Sequence, residues 1–131
     1  MLDFFSSLPA NTLDGMQKLN LELGAEAKQR GISDLLQKTV LSGGKRLRPL
    51  LTFLMGDLFN ISWKDMHAYA RAIEMVHAAS LAHDDVIDNA TLRRGRPSIN
   101  IEGSNKQAIL AGDYLLAQVI FELSERGNLE L

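Results

Sequence analysis

Asp84, Asp85 and Asp88 close a long apolar-periodic stretch that also holds Glu74, His77, Ala79 and Ser80. On a helix of 3.6 residues per turn, Asp84 and Asp88 lie one turn apart on one face, and His77, seven positions before Asp84, falls within about 20° of the same stripe. This placement disfavours a helix whose only task is to fold. Like charges at i,i+4 cost roughly 0.2 to 0.5 kcal/mol, and acids in the last turn oppose the negative end of the macrodipole by ~0.3 to 1 kcal/mol each. A hard divalent cation with oxygen ligands reverses both penalties, because the clustered negative charge becomes the binding energy of the site. The plain alternative is a solvated acidic helix end.

Two cationic groups complement these acids: Gly43-Gly44-Lys45-Arg46-Leu47-Arg48-Pro49, and Arg93-Arg94-Gly95-Arg96-Pro97. Glycines before a helix start let backbone approach a ligand closely, and the helix N-terminus offers unpaired N–H groups. Lys45, Arg46 and Arg48 add fixed charge there, although a basic triplet by itself is more often surface solubilisation. Arg93, Arg94 and Arg96 either offset the preceding acids or, held by Gly95 and Pro97, grip phosphate oxygens through guanidinium forks. A metal site beside two cationic clusters is what a diphosphate ester needs. His77 fits either a core histidine or a donor to a second phosphate. His83 is off the stripe and braces its neighbours, and Trp63 and Tyr114 read as packing residues.

The elements that must position these groups belong to one globular core, since 131 residues with 46% hydrophobic and 23% charged side chains suffice for a single domain over residues 1–131. The net charge of −2 argues against nucleic acid as the partner. The absence of cysteine excludes disulfides, thiolate chemistry and Cys-ligated zinc. Neither a secretory signal nor a membrane span is visible, so the expected location is cytoplasmic.

Helical spacing predicts a first helix from Asn11 through Leu13, Met16, Leu23 and Ala27 to Gly31. Ser33 is the expected cap of a short second helix to Leu41, and Pro49 suits the first turn of a third that runs to about Asn60. Ser62-Trp63-Lys64-Asp65 resembles a capping box and opens the long fourth helix, from Trp63 to Asn89. Leu92 to Gly103 reads as a basic loop without helical period. Ser104 caps a fifth helix that stops near Gly127. The prediction is an all-α bundle of about five helices with no strand.

With Gly43-Gly44-Lys45-Arg46-Leu47-Arg48-Pro49, His77, Asp84-Asp85-Val86-Ile87-Asp88 and Arg93-Arg94-Gly95 in this order, the chain resembles the trans-prenyltransferases, the polyprenyl diphosphate synthase family. Gly112-Asp113-Tyr114-Leu115-Leu116-Ala117 resembles the helix segment that follows the arginine loop in that family. The resemblance implies the N-terminal half of an isoprenoid-synthase-like fold, with Asp84 and Asp88 as magnesium ligands and Asp85 in support. It implies Lys45, Arg48 and His77 as the grip on isopentenyl diphosphate, Arg93 on the allylic diphosphate and Arg94 on the isopentenyl one. The reaction implied is chain elongation: diphosphate departs with metal assistance, the isopentenyl double bond attacks the allylic cation, and a proton is lost.

Family members carry a second aspartate-rich motif on a facing helix, whereas only Asp113 follows Asp88 here. The chain is therefore expected to be a fragment that does not complete the active centre by itself. Ala79 and Ser80, five and four positions before Asp84, are small where a Phe or Tyr would form a floor. Each further turn would lengthen a channel by about 5.4 Å. By resemblance, such residues go with geranylgeranyl or longer products; the alternative is that they are small because a neighbouring helix approaches closely. Uncovered apolar faces on the fourth and fifth helices would favour a homo-oligomer, a dimer or larger.

Two other readings stay open. One is a non-catalytic diphosphate-binding or partner-subunit module. The other is a His-Asp metal phosphohydrolase built on His83-Asp84 with His67 and His77, in which the glycine-lysine segment has no role. Glu74-Met75-Val76-His77 matches half of a di-iron bundle motif, and no second half exists.

Overall fold

A computed structural model describes Phe4, residues 6–24, Ala27 and residues 31–126. Among these residues there are six helices and one short hairpin, an all-α architecture. The elements are α1 Ala10–Lys18, α2 Ile32–Lys38, α3 Leu47–Leu58, α4 Trp63–Ile87, β1 Leu92–Arg93, β2 Arg96–Pro97, α5 Ile99–Glu102 and α6 Asn105–Glu125. The described residues within 1–20 and 45–74 form one compact unit, and those within 21–44 and 75–131 form another. Helix α4 contributes to both.

In the first unit, α1 packs on α3 around Phe53, which is fully buried. Gly15 makes the approach possible, because a Cβ there would stand 2.6 Å from the Phe53 ring. Asn11 ties α1 to the start of α4: its Oδ1 accepts from the Trp63 N–H at 2.8 Å and its Nδ2 donates to the Ile61 carbonyl at 3.1 Å. The far end of α1 is held in the same way, by Arg71 Nη1 donating to the Asn20 carbonyl at 2.6 Å. The Asn11 bond to Trp63 satisfies one of the N–H groups that the first turn of α4 leaves without an intrahelical partner.

The first helix is shorter than its apolar spacing suggested. It ends at Lys18, Leu19 is extended, and residues 19–24 are not helical. Residues 25–26 and 28–30, over which that helix was expected to continue, lie outside the described residues, as does Gly127. Helix α3 ends in a Schellman motif, with Asn60 at φ 58° and the Ile61 N–H donating to the Gly56 carbonyl at 2.8 Å.

In the second unit, Gly31, at φ 71°, is the N-cap of α2; Ser33, the expected cap, lies inside the helix and is buried. A left-handed glycine starts the helix two residues earlier than the serine would. Helix α4 buries mainly small side chains here, Ala78, Ala79 and Ala82 beside Met75. Its end is a second Schellman motif: Asn89 has φ 52°, its N–H reaches the Val86 carbonyl at 3.2 Å, and the Ala90 N–H reaches the Asp85 carbonyl at 2.9 Å.

The segment expected to be a loop is instead a hairpin and a single helical turn. Leu92 pairs with Pro97 and Arg93 with Arg96, across a turn in which Arg94 and Gly95 have φ 51° and 76°. Positive φ at both central residues is what a type I′ hairpin turn demands. The base of the hairpin is fastened to the end of α4 by Ser98 Oγ and Asn100 Nδ2, which both donate to the Ala90 carbonyl, at 2.8 and 2.9 Å. Helix α6 begins at the expected cap, with Ser104 Oγ accepting from the Gln107 N–H at 3.1 Å. No described helix is long and apolar enough to cross a membrane.

Candidate functional site

The last turn of α4 presents its three acids in different ways. Asp84 and Asp88 are exposed, and the Asp88 N–H donates to the Asp84 carbonyl at 2.8 Å, which puts the two residues one helical turn apart. Neither carboxylate takes a hydrogen bond or ion pair among the described residues. Asp85 is turned inward and its side chain is 2% exposed. It receives Arg93 Nε at 3.1 and 3.0 Å and Arg93 Nη2 at 2.7 Å.

This contact joins the acidic helix end to the arginine hairpin. The hydrogen bonds Arg93 donates to Asp85, and then the charges of Asp85, Asp84 and Asp88, hold its guanidinium above the ordinary pKa against the opposing pull of partial burial. Arg93 therefore remains a cation throughout. Its neighbour Arg94 reaches the other way, donating Nη1 to the Ser42 carbonyl at 2.7 Å, and a Cβ on Gly44 would stand 3.0 Å from its guanidinium. A glycine at 44, with φ 81°, leaves that space open.

Within the second unit, Lys38, Thr39, Ser42, Gly43, Arg93, Arg94, Arg96 and Pro97 line a cleft of about 240 Å³. Four of these side chains are cationic and two carry hydroxyls, a lining suited to phosphate oxygens. Lys38, Thr39 and Ser42 were not singled out from sequence. The only local signal was their position just before Gly43-Gly44, where a helix end turns into a glycine loop.

Asp84 and Asp88 do not form a cation cage by themselves: no group of three His, Cys, Asp or Glu side chains converges among the described residues. Two unengaged carboxylates with space around them nevertheless fit magnesium, which keeps several waters and is bound through one or two carboxylates plus substrate phosphates.

His77 is half-buried on α4, and Ser80, which is exposed, donates its Oγ to the His77 carbonyl at 2.7 Å. Ala79 is fully buried. Of the two small residues below the acids, only Ser80 opens outward, and Val76, one turn further down, is 42% exposed. Lys45 and Arg48 belong to the first unit, where both are exposed around the start of α3.

His83 acts as a brace. Its Nε2 lies 3.1 Å from the Ile109 carbonyl and 3.3 Å from Asp113 Oδ1. A carbonyl only accepts, so Nε2 carries the proton. Gly112 makes room, because a Cβ there would run into the imidazole. His67 Nε2 meets the Lys18 carbonyl at 3.1 Å in the first unit. A His-Asp phosphohydrolase would need such histidines as metal ligands, and in both of them Nε2 is engaged by a main-chain carbonyl.

The sequence pattern of polyprenyl synthetases matches residues 29–131. The chain belongs to that family. It is 39% identical over 108 residues to heptaprenyl diphosphate synthase component 2 of Geobacillus stearothermophilus, a match covering 82% of this chain and 34% of that one. Against the farnesyl diphosphate synthase of Escherichia coli it is 41% identical over 96 residues, 72% of this chain and 32% of the relative. Among solved structures, the polyprenyl synthase from Caulobacter crescentus complexed with calcium and isoprenyl diphosphate superposes with a TM-score of 0.80 at 29% identity, covering 99% of this chain and 39% of that one. The chain spans about a third of the length of the curated relatives it matches. The fold is thus the N-terminal portion of the all-α prenyl synthase fold.

Proposed function

We propose that this polyprenyl synthetase chain carries the diphosphate-handling part of a chain-elongating prenyl diphosphate synthase, which joins isopentenyl diphosphate to an allylic diphosphate. The observation that carries this reading is the Asp85–Arg93 bond, which ties two unengaged carboxylates, Asp84 and Asp88, to a cleft lined by Arg93, Arg94 and Arg96. Asp84 and Asp88 would hold magnesium, and the bound ion would neutralise charge on the departing diphosphate. Arg93 has Nη1 left over from its Asp85 bonds for the allylic diphosphate; for the isopentenyl diphosphate the second unit would offer Arg94 and His77, and the first unit Lys45 and Arg48. Preformed donors aimed at the leaving group lower the barrier without reorganising during the reaction.

The product would be geranylgeranyl or longer. Ser80 and Val76, exposed on successive turns below Asp84, support this, whereas the relatives' names run from farnesyl to nonaprenyl. Self-association, as a dimer or larger, is supported by the exposed apolar side chains of α6, among them Ile120 and Phe121.

A second reading, a diphosphate-binding subunit that does not turn over by itself, draws on the Geobacillus relative, which is named as a component. A turnover assay with labelled isopentenyl diphosphate and an allylic primer, on the chain alone and with candidate partner chains, separates the two. Product formed only with a partner favours the subunit reading; no product in any combination counts against the synthase.

A further inference from the structure

We propose that Arg46 is a positioning residue and not a phosphate ligand: drawn to the buried Glu74, it fixes the start of α3 so that Lys45 and Arg48 are presented to a diphosphate. The inference rests on the diphosphate reading above and concerns the first unit alone.

Three cations fall within four positions at the start of α3, and charge alone does not distinguish them. The structure does. Lys45 and Arg48 are exposed, and their side chains make no hydrogen bond or ion pair among the described residues. Arg46 is partly withdrawn, with its side chain 23% exposed, and Nη1 donates to Glu74 Oε1 at 2.9 Å.

The backbone at Arg46 is one that such a contact would hold in place. Arg46 is the N-cap of α3 and holds φ 55° and ψ 38°, a left-handed conformation that a residue with a Cβ adopts only when its surroundings require it. Its carbonyl accepts the Leu50 N–H at 3.1 Å, so the same residue makes a backbone link into the helix. A cation at a helix N-terminus also opposes the macrodipole. For Arg46 the Glu74 carboxylate offsets that penalty. For Lys45 and Arg48 nothing described does, and a bound anion would.

Glu74 is suited to anchoring. Its side chain is 6% exposed, and Oε2 is buried without a hydrogen-bond partner. A buried carboxylate left half-satisfied holds its cation strongly, because losing it would leave the charge uncompensated.

The two roles predict opposite outcomes for Glu74→Gln. Were Arg46 a ligand, removing the competing carboxylate would free its guanidinium and tighten diphosphate binding. As a positioning residue it loses its anchor, and inorganic diphosphate, titrated calorimetrically with magnesium, should bind about tenfold more weakly, the lower end of what an outer partner of a binding group costs. The double variant Arg46→Gln with Glu74→Gln buries no charge and guards against misfolding of the single one. It should bind as weakly as Glu74→Gln and no more so. Unchanged or tighter binding by folded Glu74→Gln overturns the proposal, as does a further loss in the double variant equal to that of Arg48→Gln. Absence of binding by the parent chain would overturn the diphosphate reading together with this inference, whereas loss in Arg48→Gln without loss in Glu74→Gln overturns this inference alone.

Discussion

Asp85 and Arg93 share three hydrogen bonds of 2.7 to 3.1 Å between a buried carboxylate at the end of α4 and a guanidinium on β1. The two partners differ in exposure, 2% for Asp85 and 27% for Arg93. Removing them should therefore have unequal effects. Arg93→Ala strands a buried charge and should destabilise the fold by ~3 to 5 kcal/mol, whereas Asp85→Ala leaves a guanidinium that can reach water and should cost distinctly less. Urea unfolding of the two variants compares them, and equal losses would count against the asymmetry. The pH dependence has a definite sign. A base whose pKa is raised on folding stabilises below its unfolded pKa and loses that contribution only as pH rises through the folded value, so the Arg93 contribution should stay level between about pH 5 and pH 9.

The His83 brace predicts coupling between α4 and α6. Gly112→Ala places a methyl group against the imidazole and should cost ~1 to 3 kcal/mol by overpacking. In the double variant with His83→Ala, most of that cost should disappear, because the clashing ring is gone. Strict additivity across the double-mutant cycle would show that the two residues do not meet.

Ala79 and Ser80 should part company. Ala79 is fully buried, so Ala79→Phe is expected to overpack and destabilise by ~1 to 3 kcal/mol. Ser80 is exposed, so Ser80→Phe should fold normally. In an active full-length form it should shorten the product while condensation continues. Unchanged product length in an active Ser80→Phe enzyme would rule out a channel along that face.

Much of this was legible in the residues because it is local. The stripe of Asp84 and Asp88, the Ser104 cap and the place of Pro49 in the first turn of α3 depend on neighbours within a few positions, which periodicity and capping rules describe. What was not legible depends on partners far along the chain. Asp85 looks like its acidic neighbours until Arg93 claims it. Asn11 reads as part of a helix start, yet its amide caps a different helix more than fifty positions away. The hairpin escaped because strands of two residues have no period to detect, although Arg94-Gly95 between two arginines carried a turn signal. Apolar spacing makes the first helix too long because Leu23 and Ala27 are buried at helical spacing without a helix running from Lys18 to join them.

The uncovered apolar surface predicts self-association. Leu110, Ile120 and Phe121 on α6 are 54%, 70% and 59% exposed, and clusters of such side chains mark interfaces. Sedimentation over a range of concentrations should reveal a dimer or larger species. A monodisperse monomer at high concentration would contradict this.

Calorimetric titration of a diphosphate analogue with and without magnesium, on the parent chain, Asp84→Ala and Asp113→Ala, reports directly on whether Asp84 and Asp88 hold the metal. Asp84 stands unengaged one turn from Asp88, while Asp113 lies 3.3 Å from His83 on another helix. Binding should depend on magnesium, be abolished by Asp84→Ala and be largely retained by Asp113→Ala. Equal losses in the two variants, or binding indifferent to magnesium, would contradict that role for Asp84 and Asp88.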